Sequence, residues 1–189
     1  GSWSDPEYSK PVNKVYIVGV SKQETHRRIF EDEFGAELQM YGIRTVSSYR
    51  DLKNAAEAEL EEILNKVQQN QADALLVTRI IDKRTEEVVN PGRVTHYRSR
   101  PYYGYRDYYP RPYYRNYYDY YPRRYETVYE PATVSKYKVV TLESNLYDAG
   151  TGNLIWSAQL ETVLDGPVKE MIRDYIEVVT KDLVDQGVI

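Results

Sequence analysis

Residues 135–164 read SKYKVVTLESNLYDAGTGNLIWSAQLETVL, and their alternation decides the class of fold. Val140, Leu142, Ser144 and Leu146 share one parity, and Leu154, Trp156, Ala158 and Leu160 share one in the run that follows. Successive side chains of a strand point to opposite faces, so each run lays one apolar face on a core. The DAGTGN between them supplies an aspartate for a side-chain-to-backbone turn and two glycines for left-handed backbone. Asp148 and Asn153 are also oxygen donors, but the acidic spacing and terminal glutamate of a calcium loop are missing, so a hairpin turn is the expected reading. Trp156 is expected in the core of that hairpin.

Upstream, KVYIVGV (14–20) is a short β-branched run, a buried strand. SKQE follows, with Ser21 and Glu24 at capping-box spacing ahead of a helix. That helix carries Phe30, Phe34, Leu38 and Tyr41 as one apolar stripe and stops at Gly42. IRTVSSY (43–49) reads as a second strand. Asn54 to Asn70 reads as a second amphipathic helix with Leu60, Ile63, Leu64 and Val67 inward. ADALLVTRIIDKRTEEVV (72–89) begins as a buried strand and turns charged and alternating, as if leaving the core. Gly166-Pro167 opens a closing helix with Val168, Ile172, Tyr175 or Ile176, Val179 and Leu183 as its stripe.

The predicted order is β-α-β-α-β-(insert)-β-β-α, an α/β (α+β) single domain. Two crossovers make the first three strands parallel and the hairpin adds antiparallel ones, giving a mixed sheet with helices mainly on one face. Residues 1–13 are expected as a tail, 14–189 as the domain, and about 90–135 as an insertion arm. Gly1-Ser2 is read as a cloning scar, with a leader or lipidated cysteine expected ahead of it.

The 189 residues carry a net charge of −4, which gives no general case for nucleic-acid binding. Between Tyr97 and Tyr125, however, seven arginines face two acids, so a basic segment sits on an acidic remainder. Without cysteine there is no disulfide, thiolate nucleophile or cysteine metal site. The junction VGVSKQE has one glycine and no phosphate-loop spacing. His26, in THRRIFEDE, has Glu31, Asp32 and Glu33 within helical reach and is expected on a solvated, ion-paired face. His96 stands alone before the insert. No enzyme, cofactor or metal is expected.

The insert contains YYGYRDYYPRPYYRNYYDYYPRR (102–124). Tyrosine gains by stacking and burial while its hydroxyl stays wet, and arginine beside it permits cation–π contact. Pro101, Pro110, Pro112 and Pro122 interrupt continuous strand pairing. EEVVNPGRVTHY and RYETVYEPATVSKY are expected as the two legs of one long antiparallel arm. Three readings stand: contact with another protein or with itself, stacking on a cell-wall glycan, and single-stranded nucleic acid, the last opposed by the acidic body. The expected contact residues are Tyr102, Tyr103, Tyr105, Arg106, Tyr108, Tyr109, Tyr113, Tyr114, Arg115, Tyr117 and Tyr118.

Taken together, RRIFEDEFGAELQMYGIRTV, ADALLVTRIIDKRTE, the Tyr-rich insert and LYDAGTGNLIW resemble a family of bacterial envelope lipoproteins with a Tyr-rich insert. The element order is more loosely similar to the TolB N-terminal domain, the curli secretion lipoprotein and the lipoprotein activators of penicillin-binding proteins. The resemblance implies a non-enzymatic binding or assembly module, lipid-anchored at the periplasmic face of the outer membrane. Its implied partner is another envelope protein or a second copy, with peptidoglycan or polysaccharide as the alternative. It offers no catalytic residues and implies membrane contact only through an N-terminal lipid, while the acidic body gives the expectation of no nucleic acid. A lipobox cysteine is missing from the sequence.

Overall fold

The computed structural model describes residues 1–98 and 125–189. In chain order the elements are β1 (Ser2–Ser4), β2 (Lys14–Val20), α1 (Glu24–Met40), β3 (Arg44–Ser47), α2 (Leu60–Gln69), β4 (Ala74–Asn90), β5 (Arg93–Arg98), β6 (Tyr125–Glu130), β7 (Thr133–Asp148), β8 (Leu154–Val163) and α3 (Val168–Asp185). A six-stranded sheet has the order β1-β8-β7-β4-β2-β3, and β5 and β6 form a second, two-stranded sheet. β2 is parallel to both β3 and β4, while β7 and β8 are antiparallel, so the fold is α+β with a mixed sheet.

The 135–164 stretch forms the hairpin its alternation requires. Val140 pairs with Thr162, Leu142 with Leu160, Ser144 with Ala158 and Leu146 with Trp156. At the turn, Asp148 Oδ1 accepts from the N–H of Gly150 at 2.7 Å and of Thr151 at 3.3 Å. Its carbonyl accepts from Gly152, which sits at φ +74°, a conformation glycine adopts without steric cost. Burial raises the Asp148 carboxyl, yet Lys10 and those two N–H groups outweigh it and hold it below the ordinary carboxylate range.

Alternation along β2 divides the core between the two faces of the sheet. Val15 and Ile17 join Phe30, Phe34, Leu38, Leu76, Leu146, Trp156, Tyr175, Ile176, Val179 and Leu183 under α1 and α3. Tyr16 and Val18 join Leu52, Ala55, Val67 and Leu75 under α2. Two helices on one face and one on the other agree with helices mainly on one side.

Local expectations fail in instructive places. The capping box does not form: Ser21 Oγ instead accepts from the N–H of Gln23, a residue that opens α1 without a side-chain cap. α2 begins at Leu60, not Asn54, and Leu60 itself is exposed. Tyr41 also lies outside the α1 stripe, because the helix has ended before it. Residues 1–13, expected as a tail, contribute β1, paired with β8 at Ser4↔Trp156, and the buried Val12.

The chain divides into two compact units, Gly1–Glu86 with Tyr137–Ile189, and Glu87–Lys136; the divisions fall within β4 and β7.

Candidate functional site

Three places in the described residues gather polar or exposed apolar groups. The first lies at the C-terminal ends of β2 and β3, the end of a parallel sheet where α/β proteins commonly bind ligands. Arg27 and Glu31 on α1 are 1% and 0% exposed there. They form an ion pair, Arg27 Nε to Glu31 Oε1 at 3.0 Å. Arg27 also donates to Ser48 Oγ at 2.8 Å and to the carbonyls of Leu52 at 2.7 Å and Lys53 at 3.2 Å. Glu31 accepts from the N–H groups of Gly19 at 2.9 Å and Tyr49 at 2.8 Å, and from Ser48 Oγ at 2.6 Å. Beside it Asp32 accepts from the Tyr49 hydroxyl at 2.9 Å, and the Arg28 guanidinium lies 5.3 Å from the Tyr49 ring centre.

This cluster corrects the sequence reading of a solvated, ion-paired face. The signal was present: Arg27, Glu31, Phe34 and Leu38 stand at helical spacing, so the ion pair continues the buried stripe. Both carboxylate oxygens of Glu31 accept from groups of the chain itself. The arrangement clamps α1 to the 48–53 loop. His26 next to it is half-buried and takes no part in the cluster's hydrogen bonds.

A second buried chain runs Thr78 Oγ1, Ser144 Oγ and Tyr175 hydroxyl at 2.6 and 2.7 Å. Burial pushes the Tyr175 phenol up to about 12, so it stays neutral and pairs with Ser144 as a hydroxyl. Tyr16 is likewise pushed up, first by burial and then by its 2.6 Å bond to Asp51. These groups join the sheet to what covers it. Two hollows beside α2, of about 480 and 380 Å³, are open to solvent. Glu59, Glu61, Glu62 and Lys66 line the first, and Asp51, Lys53 and Glu57 the second. Among the described residues no three His, Asp or Glu side chains converge as metal ligands. No helix among them is long and apolar enough to cross a membrane.

The third place is the Glu87–Lys136 unit. β5 and β6 pair antiparallel from Arg93↔Glu130 to Arg98↔Tyr125. Lys136 Nζ bridges to Glu87 at 2.7 Å. Between the strands the chain turns at Pro91-Gly92 and at Pro131-Ala132. A Cβ on Gly92 would lie 2.7 Å from the Glu130 carbonyl oxygen and 2.9 Å from the Ala132 nitrogen, both fixed backbone. Gly92→Ala is therefore expected to force the two turns apart at a cost of about 1–3 kcal/mol. Hydrogen exchange of the β5 and β6 amides should accelerate roughly ten- to a hundredfold, with β2 amides unchanged.

Val88, Val89, Val94, Tyr129 and Val134 of this unit are 45%, 60%, 53%, 70% and 57% exposed. The expected contact residues, Tyr102, Tyr103, Tyr105, Arg106 and the series on to Tyr118, lie outside the described residues. His96 lies on β5 opposite Thr127.

No protein-family model matches the chain, and no curated protein matches it. Solved structures similar to it include the PelC dodecamer from Paraburkholderia phytofirmans. That likeness has 11% identity and a TM-score of 0.45, covering 93% of this chain and 89% of that one. A lipoprotein from Neisseria meningitidis is 12% identical with a TM-score of 0.46, covering 92% of this chain and 99% of that one. Likenesses at this level carry no argument about activity.

Proposed function

We propose that this chain is the soluble part of a non-enzymatic lipoprotein of the bacterial envelope, lipid-anchored at the periplasmic face of the outer membrane. It works as a binding or assembly module through its Tyr/Arg-rich arm, engaging another envelope protein or a second copy. The supporting observation is the exposure of Val88, Val89, Val94, Tyr129 and Val134 on the strands that carry that arm. Val88 and Val89 are consecutive on a strand and so point to opposite faces, both in water. Burying one such side chain against a partner is worth about 1.5–3 kcal/mol, and the arginines of the 97–125 segment add orientation through charge-assisted bonds. The envelope placement rests on the sequence resemblance, and the non-enzymatic reading on the closed bonding of the buried polar clusters.

A photo-crosslinking side chain placed at Tyr105 or Tyr114 tests this in intact envelopes. A discrete protein adduct is expected, absent when the same group replaces Glu61 on α2. The glycan alternative predicts sedimentation with purified peptidoglycan instead, abolished when Tyr102, Tyr103, Tyr108 and Tyr109 become serine. That pattern without a protein adduct would replace the present reading.

A further inference from the structure

We propose that the face of the six-stranded sheet turned away from α1 and α3 binds a neutral glycan, with Trp3 as the stacking ring and Asn145, Ser157 and Gln159 as the groups that meet its hydroxyls. This site lies on the body of the chain and is separate from the Tyr/Arg-rich arm. Register puts its residues side by side. Ser2 and Ser4 pair with Ala158 and Trp156, both in the core under α1 and α3, so Trp3 between them faces the other way. Trp3 pairs with Ser157, and Ser157 with Asn145. Gln159 pairs with Glu143 in the next row of the same face, about 7 Å along the strands. None of these residues belongs to either apolar cluster, and α2 packs elsewhere, over Tyr16, Val18 and Leu75 of β2 and β4. Trp3 is 49% exposed.

The polar groups of this face hold one another in place. Glu143 Oε1 accepts from Asn145 Nδ2 at 3.1 Å and from Arg79 Nε and Nη2 at 3.1 and 2.9 Å. Its Oε2 accepts from Gln159 Nε2 at 2.9 Å. Burial raises the Glu143 carboxyl, yet Gln159, Arg79 and Asn145 outweigh it and hold it below the ordinary carboxylate range. It therefore stays an acceptor that fixes both amides. Beyond that bond each amide has a carbonyl oxygen and a second N–H. A sugar hydroxyl is donor and acceptor at once, and so are an amide and the Ser157 hydroxyl. Charge selects against other ligands. Arg79 bridges to Glu143 at 2.9 Å, and Arg84 bridges at 2.9 Å to Glu161, two residues beyond Gln159 on β8. Each of these carboxylates has its own arginine, so a phosphate, a nucleic acid or a basic peptide finds no unmatched charge among them. A protein partner would find one large apolar side chain set among hydrophilic ones, the reverse of an interface core. A pyranose offers what this face asks for: a C–H face to lie on the indole and rim hydroxyls for the amides.

The test is acrylamide quenching of tryptophan emission in the whole chain, with cellotetraose and the tetramer of N-acetylglucosamine as probes. The chain has two tryptophans and Trp156 is fully buried, so the quenchable emission belongs to Trp3, and either probe should protect it. By calorimetry Trp3→Ala should weaken that binding roughly tenfold and Gln159→Ala about fivefold, with Trp3→Phe closer to wild type. Replacing Tyr102, Tyr103, Tyr108 and Tyr109 by serine should change nothing, which separates this site from the arm. No protection by either tetrasaccharide overturns the inference, as does binding undiminished in Trp3→Ala. Protection by heparin and not by the neutral chains would make the ligand a polyanion and overturns it too. Loss of sugar binding in the tyrosine variant would put the glycan on the arm, overturning this site and favouring the glycan alternative above.

Discussion

Arg27→Met is expected to destabilise the domain by about 3–5 kcal/mol, because it strands a fully buried carboxylate. Glu31 keeps its three other donors, the N–H groups of Gly19 and Tyr49 and the Ser48 hydroxyl, but loses the one cation that faces it. The carbonyls of Leu52 and Lys53 lose their donor in the same step. Methionine fills much of the volume, so the loss reports charge and bonding rather than a cavity. In urea the midpoint should fall with the slope unchanged, since the surface exposed on unfolding is nearly the same. Glu31→Gln should cost less, because a neutral amide oxygen can still accept from backbone. Arg27→Met with Glu31→Leu should cost clearly less than the sum of the single changes, since the second change removes the charge that the first one orphaned. An Arg27→Met loss below about 1 kcal/mol would show that water or a moved side chain reaches Glu31, and the clamp would be discarded.

Why the clamp escaped the sequence reading is a matter of what periodicity measures. A stripe is recognised by apolar residues, and α1 shows Phe30, Phe34 and Leu38 clearly. Glu31 and Arg27 occupy the same stripe one and two turns before Phe34, yet a charged pair at four-residue spacing is ordinarily a solvated one. Only the 48–53 loop, folding over the helix with Ser48, Tyr49 and the Leu52 and Lys53 carbonyls, makes burial tolerable, and that loop is distant in sequence. The hairpin, by contrast, was legible because its alternation, its turn residues and its pairing all lie within 30 neighbouring positions. The two parallel crossovers were legible for a related reason: each strand-helix-strand unit carries its own period change. The capping box failed since Ser21 had a nearer donor in Gln23, a competition the four-residue spacing does not reveal. β1 had no signal at all in three residues, and its place depends on an edge that β8 offers 150 residues later. As for the arm, composition marked its boundaries and its charge, while the tyrosines on which contact was expected fall outside the described residues.

Replacing residues 87–136 by a short Asn-Gly turn should leave the domain folded and remove its capacity to bind through the arm. Glu86 would then be followed by the turn and Tyr137, on strands β4 and β7 that are neighbours in the sheet, so the join asks for nothing but a hairpin. Among the described residues, every buried residue of both apolar clusters comes from outside the excised stretch, the nearest in sequence being Leu76 and Leu146. The Arg27 clamp, the Thr78–Ser144–Tyr175 chain and the Asp148 turn are also outside it. Stability should therefore change by no more than about 0.5–1 kcal/mol, a shift of only a few degrees in Tm for a domain of this size. Association is a different matter. The excision removes Val88, Val89, Val94, Tyr129 and Val134 and the arginine-rich segment together, so self-association and protein crosslinking should both disappear. Self-association or crosslinking that survives would move the binding surface onto the body and refute the arm as its seat. Loss of cooperative unfolding would show instead that the arm holds the sheet together, which its absence from both cores argues against.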